Sequence, residues 1–308
     1  MADLSARQHL LALFLAVALA GPASARPTVV VADDAGGTVA LAAPPRRIVS
    51  LAPHATELLF ALGAGSRVVG VSAASDWPAD ARALPRVGDA RSVDLERVFA
   101  LAPDLVVTWP YTVPAQVARL KARGVPVFVL DAHAIDDLPG QMSRLGRLVG
   151  EARRGESLAA ATAARLEALR ARYRHAVPVA VFYQIWNAPL FTIGGGHLIT
   201  QAIELCGGSN AFARETLPAP MVSLEAVLAA QPEVIVAGAD GGRRPPWLDD
   251  WRRWPTLPAV ARGQLHAVDG DLLHRPGPRF VDGVDGLCAA IDGARAPDRS
   301  ARAALAPR

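Results

Sequence analysis

The chain has 308 residues, 51% of them hydrophobic and 20% charged, and 32 Lys+Arg against 29 Asp+Glu leave a formal net charge of +3. That length suits one large or two modest domains with a full core, and the hydrophobic share excludes a disordered or low-complexity chain. Basic residues are spread along the chain with no block of about five or six like charges, which argues against a nucleic-acid-binding tail.

Residues 1–25 read as an export signal. Arg7 gives a sparse basic start, and residues 10–20 form an apolar run shorter than the ~20 residues of a membrane span. Ala23-Ser24-Ala25 is a small-residue cleavage site. The mature protein is therefore expected outside the cytoplasm. There, the even pair Cys206 and Cys288 suggests one disulfide, with two buried free thiols as the alternative.

Residues 28–31 and 38–41, joined through Asp33-Asp34-Ala35-Gly36-Gly37, read as a β-hairpin. Strand-like runs at 47–51 and 67–72 flank a loop at Pro53-His54 and a helix over 56–62 that stops at Gly63. The alternation continues with a helix over 95–101, a strand over 105–108, a helix over 115–123 and a strand over 127–130. This spacing implies a parallel sheet with crossover helices. Residues 138–173, free of proline after Pro139, predict a helix pair or one long helix, a rigid spacer rather than a flexible linker. Alternation resumes with a strand over 179–183, helices over 198–205 and 223–230, strands over 234–236 and 265–268, and a final helix over 282–292.

Residues 93–107 align without gaps on 222–236, with seven of fifteen positions identical at an offset of 129. Each copy reads as helix, Pro-acid turn and buried strand. Two copies are too few for a solenoid and fit two similar α/β lobes.

Motifs of catalysis are missing: there is no phosphate loop, no G-x-S-x-G elbow and no H-x-x-x-H pair. Gly194-Gly195-Gly196 reads as a turn, and Asp33-Asp34, Asp136-Asp137 and Asp249-Asp250 as turn or solvated positions. His54 and His197 sit at helix starts, where a hydrogen-bonded loop histidine is the ordinary role. A metal-dependent hydrolase using both is the enzyme alternative.

The aromatics are more informative. Trp77, Trp109, Tyr111, Trp186 and Phe191 follow predicted strands, and Trp247, Trp251 and Trp254 share a Pro-rich loop. Ligands of open α/β sheets bind beyond the C-terminal strand ends, where aromatics stack on or cover a flat ligand. Arg275 and Arg279 lie in a Pro- and Gly-rich loop and suit an anionic or amide-bearing ligand. Glu96 and Glu225 occupy equivalent repeat positions in the first turn of a helix, where the helix dipole favours a carboxylate. One acid on each lobe suits docking on basic patches of a two-fold partner.

Residues 48–58, 71–78, 94–98, 103–106, 205–208 and 276–279 resemble the periplasmic vitamin B12-binding proteins of ABC importers, within the wider class that also binds haem and ferric siderophores. The resemblance runs from about 47 to 292. It implies an α/β fold of two similar Rossmann-like lobes joined by one long rigid helix, with the ligand cleft between them. The division it implies is a signal peptide at 1–25, an N-terminal β-hairpin at 26–45, an N-terminal lobe at 46–149, a linking helix at 150–176, a C-terminal lobe at 177–295 and a tail at 296–308. The family's permease-docking glutamates fall on Glu96 and Glu225, its disulfide on Cys206–Cys288, and its corrin contacts on Trp109, Phe191, Asp271 and Arg275. Ala74, Ala90 and Ala219 stand where B12 binders carry aromatics; Trp77, Tyr111, Trp186 and the 247–254 loop are expected to compensate, with His54 facing the cleft. The resemblance implies a monomeric, non-enzymatic periplasmic protein with no cofactor, no metal site and no nucleic-acid partner, which passes cobalamin or a related corrinoid to a permease dimer. A haem or ferric-siderophore binder is the alternative, with Tyr111, Tyr183 or His54 as iron ligand.

Overall fold

The computed structural model describes residues 29–89, 91–239 and 241–295; the signal-peptide reading, Ala90 and the 296–308 tail lie outside them. The first strands, β1 (Val29–Ala32) and β2 (Thr38–Leu41), pair antiparallel. Their turn is closed by the Asp33 carboxylate, which accepts from the Gly37 amide at 2.6 Å. Asp34 is not a solvated turn residue. It accepts from the Asp131 amide (2.9 Å) and the Gln141 side chain (2.7 Å) and pairs with Arg144, pinning the hairpin to the first lobe.

That lobe is built from β3 (Ile48–Ser50), α1 (Pro53–Ala61), β4 (Val68–Val71), α2 (Leu95–Ala100), β5 (Leu105–Thr108), α3 (Pro114–Ala122) and β6 (Val127–Val129). The four strands run parallel in the order β4-β3-β5-β6. The strands are apolar on both faces, as a sheet covered by helices on both sides requires. Pro53 and His54 form the first turn of α1 rather than a loop. Proline suits that position because its missing N–H is one that a helix start leaves unpaired anyway.

Two helices follow, α4 (Asp137–Leu148) and α5 (Ala152–Tyr173). They pack backbone against backbone through Gly146 and Gly155. A Cβ on Gly155 would stand 2.7 Å from the Met142 carbonyl oxygen, and one on Gly146 would stand 2.8 Å from the Gly155 Cα. The long helix therefore has no freedom to swing against α4. It is also tied beyond its midpoint, where Arg165 reaches Asp282 (2.7 Å) and Asp285 (2.5 Å).

The second lobe comprises β7 (Val179–Trp186), β8 (Phe191–Thr192), α6 (Leu198–Leu205), β9 (Gly208–Asn210), α7 (Leu224–Ala230), β10 (Val234–Ala239), a 3-10 helix (Pro246–Arg253), α8 (Pro258–Ala261), β11 (Leu265–Asp269), α9 (Gly270–Leu273) and α10 (Phe280–Arg295). Its sheet runs β11-β10-β7-β8, with β9 also on β7 and only β8 antiparallel. The 247–254 segment is thus not an open loop. Trp251 is buried among Phe182 and Trp254, and its indole N–H donates to Gln184 Oε1 at 2.7 Å. It is a core residue.

The sequence repeat is one structural corner used twice. Asp94 and Ser223 cap α2 and α7 by accepting from the third amide beyond them, at 2.9 and 3.1 Å. Ala102 and Gln231, at equivalent positions, both adopt left-handed backbone (φ 44° and 45°) ahead of the proline. Asp104 and Glu233 then accept from backbone amides at the start of a neighbouring strand: Arg47 at 2.8 Å and Ala180 at 3.0 Å. Cys206, at the end of α6, is bonded to Cys288 of α10 with a Cα–Cα distance of 4.9 Å.

Candidate functional site

The C-terminal ends of both sheets face one cleft. On the first lobe, β5 ends at Trp109, and a Thr108–Thr112 hydroxyl bond of 2.8 Å closes the turn after it. Trp109 touches His54 at the start of α1 (ring centroids 5.3 Å) and meets Tyr111 edge-on (4.9 Å). The Trp109 indole N–H is buried without a hydrogen-bond partner. Opposite stand the His197 turn, Pro218, His274 and Pro276, and the space between is about 380 Å3. His274 also borders a second cavity of about 670 Å3, at the ends of β7, β10 and β11, walled by Trp186, Trp247 and Asp271.

Burial disfavours the charged form of three histidines of the cleft, His54, His197 and His274. Burial pulls His54 from 6.5 down to about 4. Burial, and then the neighbouring His274, pull His197 to about 4 as well; its Nδ1 accepts from the Ile199 amide at 3.1 Å, capping α6. His274 is lowered by burial and shares a 3.0 Å hydrogen bond with the Tyr183 hydroxyl. Tyr183 is itself buried, which pushes its phenol up. No three His, Cys, Asp or Glu side chains gather into a metal site among the described residues.

The loop cations are not free. Arg275 reaches Glu57 (3.3 Å), Asp76 (2.6 Å) and Asp271 (2.9 Å). Arg279 clasps Glu57 through two nitrogens at 2.8 and 2.6 Å and stacks over the Trp77 ring at 4.5 Å. Glu57 and Asp76 belong to the first lobe and the arginines to the second, so this network crosses the cleft. A second crossing uses Gln201 of α6, whose amide accepts from Ile135 N (3.0 Å) and donates to His133 O (2.8 Å).

The structure thus gathers His54, Trp109 and Tyr111 in the first cavity and Trp186 and Asp271 in the second. Arg275, Trp77 and Phe191 line neither. Phe191 sits opposite Trp186 in the β7–β8 register and bridges to Met221. Exposed apolar groups flank the expected aromatic gaps: Leu217 and Met221 lie on either side of exposed Ala219, and Trp77 follows exposed Ala74. His133 and His274 line the first cavity and carry no motif; the only hint of His274 is its place beside Arg275. Glu96 and Glu225 are exposed, each the second residue of its helix after the cap. Glu225 is held low by its own backbone amide and by Ser223.

Comparison with known proteins adds three findings. The periplasmic binding protein family matches residues 48–272. A vitamin B12-binding protein of Vibrio cholerae is 36% identical over 251 residues, which cover 80% of this chain and 88% of that protein. Two solved structures share the architecture: the periplasmic vitamin B12 binding protein of Vibrio cholerae (TM-score 0.75, 34% identity, 82% of this chain and 99% of the other) and a periplasmic heme-binding protein from Roseiflexus sp. RS-1 (TM-score 0.72, 29% identity, 81% and 99%).

A pH dependence follows from His54 and His197. Both bind their proton more weakly folded than unfolded, so their contribution is complete above pH 6.5 and is lost as pH falls from 6.5 toward 4. For His54 the loss is on the order of 3 kcal/mol, since each tenfold weakening of proton binding is worth about 1.4 kcal/mol. Urea unfolding at pH 7.0 and 4.5 is expected to show the fall, and His54→Leu is expected to flatten it; an unchanged slope in the variant removes His54 as its source.

Proposed function

This chain belongs to the periplasmic binding protein family, and we propose that it captures cobalamin or a related corrinoid and delivers it to the permease of an ABC importer. The family binds and delivers solutes and does not catalyse reactions. The observation that carries the corrinoid reading is the aromatic-walled cleft between two tied lobes, in a chain whose relative over four-fifths of its length is a vitamin B12-binding protein.

Trp109 and Tyr111 offer a broad apolar wall for the face and edge of a corrin ring, with Trp186, Phe191 and Trp77 around the rim. His54 backs Trp109. The Asp271 carboxylate, one-third exposed, accepts from amide N–H groups on the ring periphery, and Arg275 orients it. The exposed Leu217 and Met221, beside Ala219, supply apolar cover where B12 binders use aromatic rings. Residues 1–25 direct export and are removed. The lobes are 46–149 and 177–295, linked through 150–176, and the protein acts as a monomer. Glu96 and Glu225, matched by the repeat and exposed at the two helix starts, meet basic residues on the two halves of a permease dimer.

The haem alternative draws support from the likeness to the Roseiflexus heme-binding protein and from the exposed phenol of Tyr111. Titration of residues 26–308 with cyanocobalamin and separately with hemin, followed by heat and visible absorbance, separates the two readings. One-to-one cobalamin binding, weakened at least tenfold in Trp109→Ala, is the expected result; hemin binding with a new Soret band and no cobalamin binding contradicts it. For docking, Glu96→Lys with Glu225→Lys is expected to cut cobalamin uptake by cells at least tenfold while leaving affinity unchanged. Unaltered uptake removes the docking role.

A further inference from the structure

We propose that Glu57 is a specificity-determining residue: together with Asp76 and Asp271 it cancels the two arginines of the cleft rim, and so selects a ligand with an uncharged, amide-bearing periphery over one with free carboxylates. The inference rests on the corrinoid reading and deepens it.

The charges are countable. Arg275 and Arg279 bring two positive charges, and Glu57, Asp76 and Asp271 bring three negative ones, so the group is net −1. Both guanidinium groups are largely buried and are committed to carboxylates at 2.6–3.3 Å. The flat face of Arg279 is taken by Trp77. A ligand carboxylate entering here finds neither of these two arginines free. To gain one of them it must draw an arginine away from Glu57, whose side chain is only 3% exposed and would keep its charge with part of its pairing lost. A ligand amide demands no such exchange: Asp271, one-third exposed, still has acceptor capacity for its N–H groups. The group lies beside the cleft, since Glu57 is three residues beyond His54 on α1 and Arg275 lies between His274 and Pro276 in the chain; His54, His274 and Pro276 all line the cavity.

The test uses the mature protein, wild type and two variants, titrated with cyanocobalamin, whose peripheral side chains are amides, and with hemin, which carries two propionates. Glu57→Gln takes the carboxylate partner from Arg279 and one of three from Arg275. Asp76→Asn removes one partner of Arg275 at a half-exposed position and leaves the Glu57 pairs in place, so it reports even if the buried variant does not fold. The ratio of hemin to cobalamin affinity is expected to rise at least tenfold in Glu57→Gln, and by a smaller factor in Asp76→Asn. A role confined to holding the lobes together would weaken both ligands alike. Equal weakening, or a ratio unchanged in the folded variants, overturns the proposal. If the wild type binds no cobalamin the corrinoid reading fails, and the change in hemin affinity between wild type and variants still decides whether Glu57 masks the arginines.

Discussion

Glu57 is buried in the first lobe, and the charges that make its burial tolerable come from the second. An unpaired carboxylate in that place would cost on the order of 3–5 kcal/mol. The two lobes are therefore fixed against each other by the same contact that gives the cleft rim its charge. Neither the position of Arg275 nor that of Arg279 can be described without it, and Trp77 takes its place under Arg279 as a consequence.

Other ties act in the same sense. Gln201 bonds the first lobe's backbone at His133 and Ile135, and the linking helix is locked to α4 through Gly146 and Gly155 and to α10 through Arg165. The lobes are thus held behind the cleft and across it. A cleft tied in this way keeps its aromatic wall in place before any ligand arrives, and a pre-organised site spends less of its binding energy on ordering itself. Neutral histidines add to this, because a charge on His54 or His197 would have to be hidden within the site itself.

The parts of this arrangement that local chemistry dictates are readable from the chain. The repeat is legible because a cap, a Pro-acid turn and an apolar strand are each written within a few residues, and its two copies fold to the same left-handed corner at Ala102 and Gln231. The helix pair is legible from composition. The short strands β8 and β9 are not, since two or three residues carry no periodicity. Trp251 reads as a loop aromatic because prolines surround it, and only its partners Phe182 and Gln184 show it to be core. The Glu57 pairs join residues more than 200 apart, so no local pattern marks them, and Arg275 and Arg279 read as free cations for the same reason. The bridge that sets exposed Met221 beside Phe191 is likewise created only by the tertiary fold.

The central claim is a cleft already formed and held by cross-lobe ties. It is tested most directly by the distance between the lobes, measured by pulsed electron resonance with spin labels on Lys121→Cys in α3 and Ala229→Cys in α7, both exposed, in the presence and absence of cyanocobalamin. Distributions that agree within about 2 Å are the predicted result. A clear shortening on ligand addition, well beyond that margin, would show that the lobes close like a hinge and that the ties at Glu57 and Gln201 do not hold them.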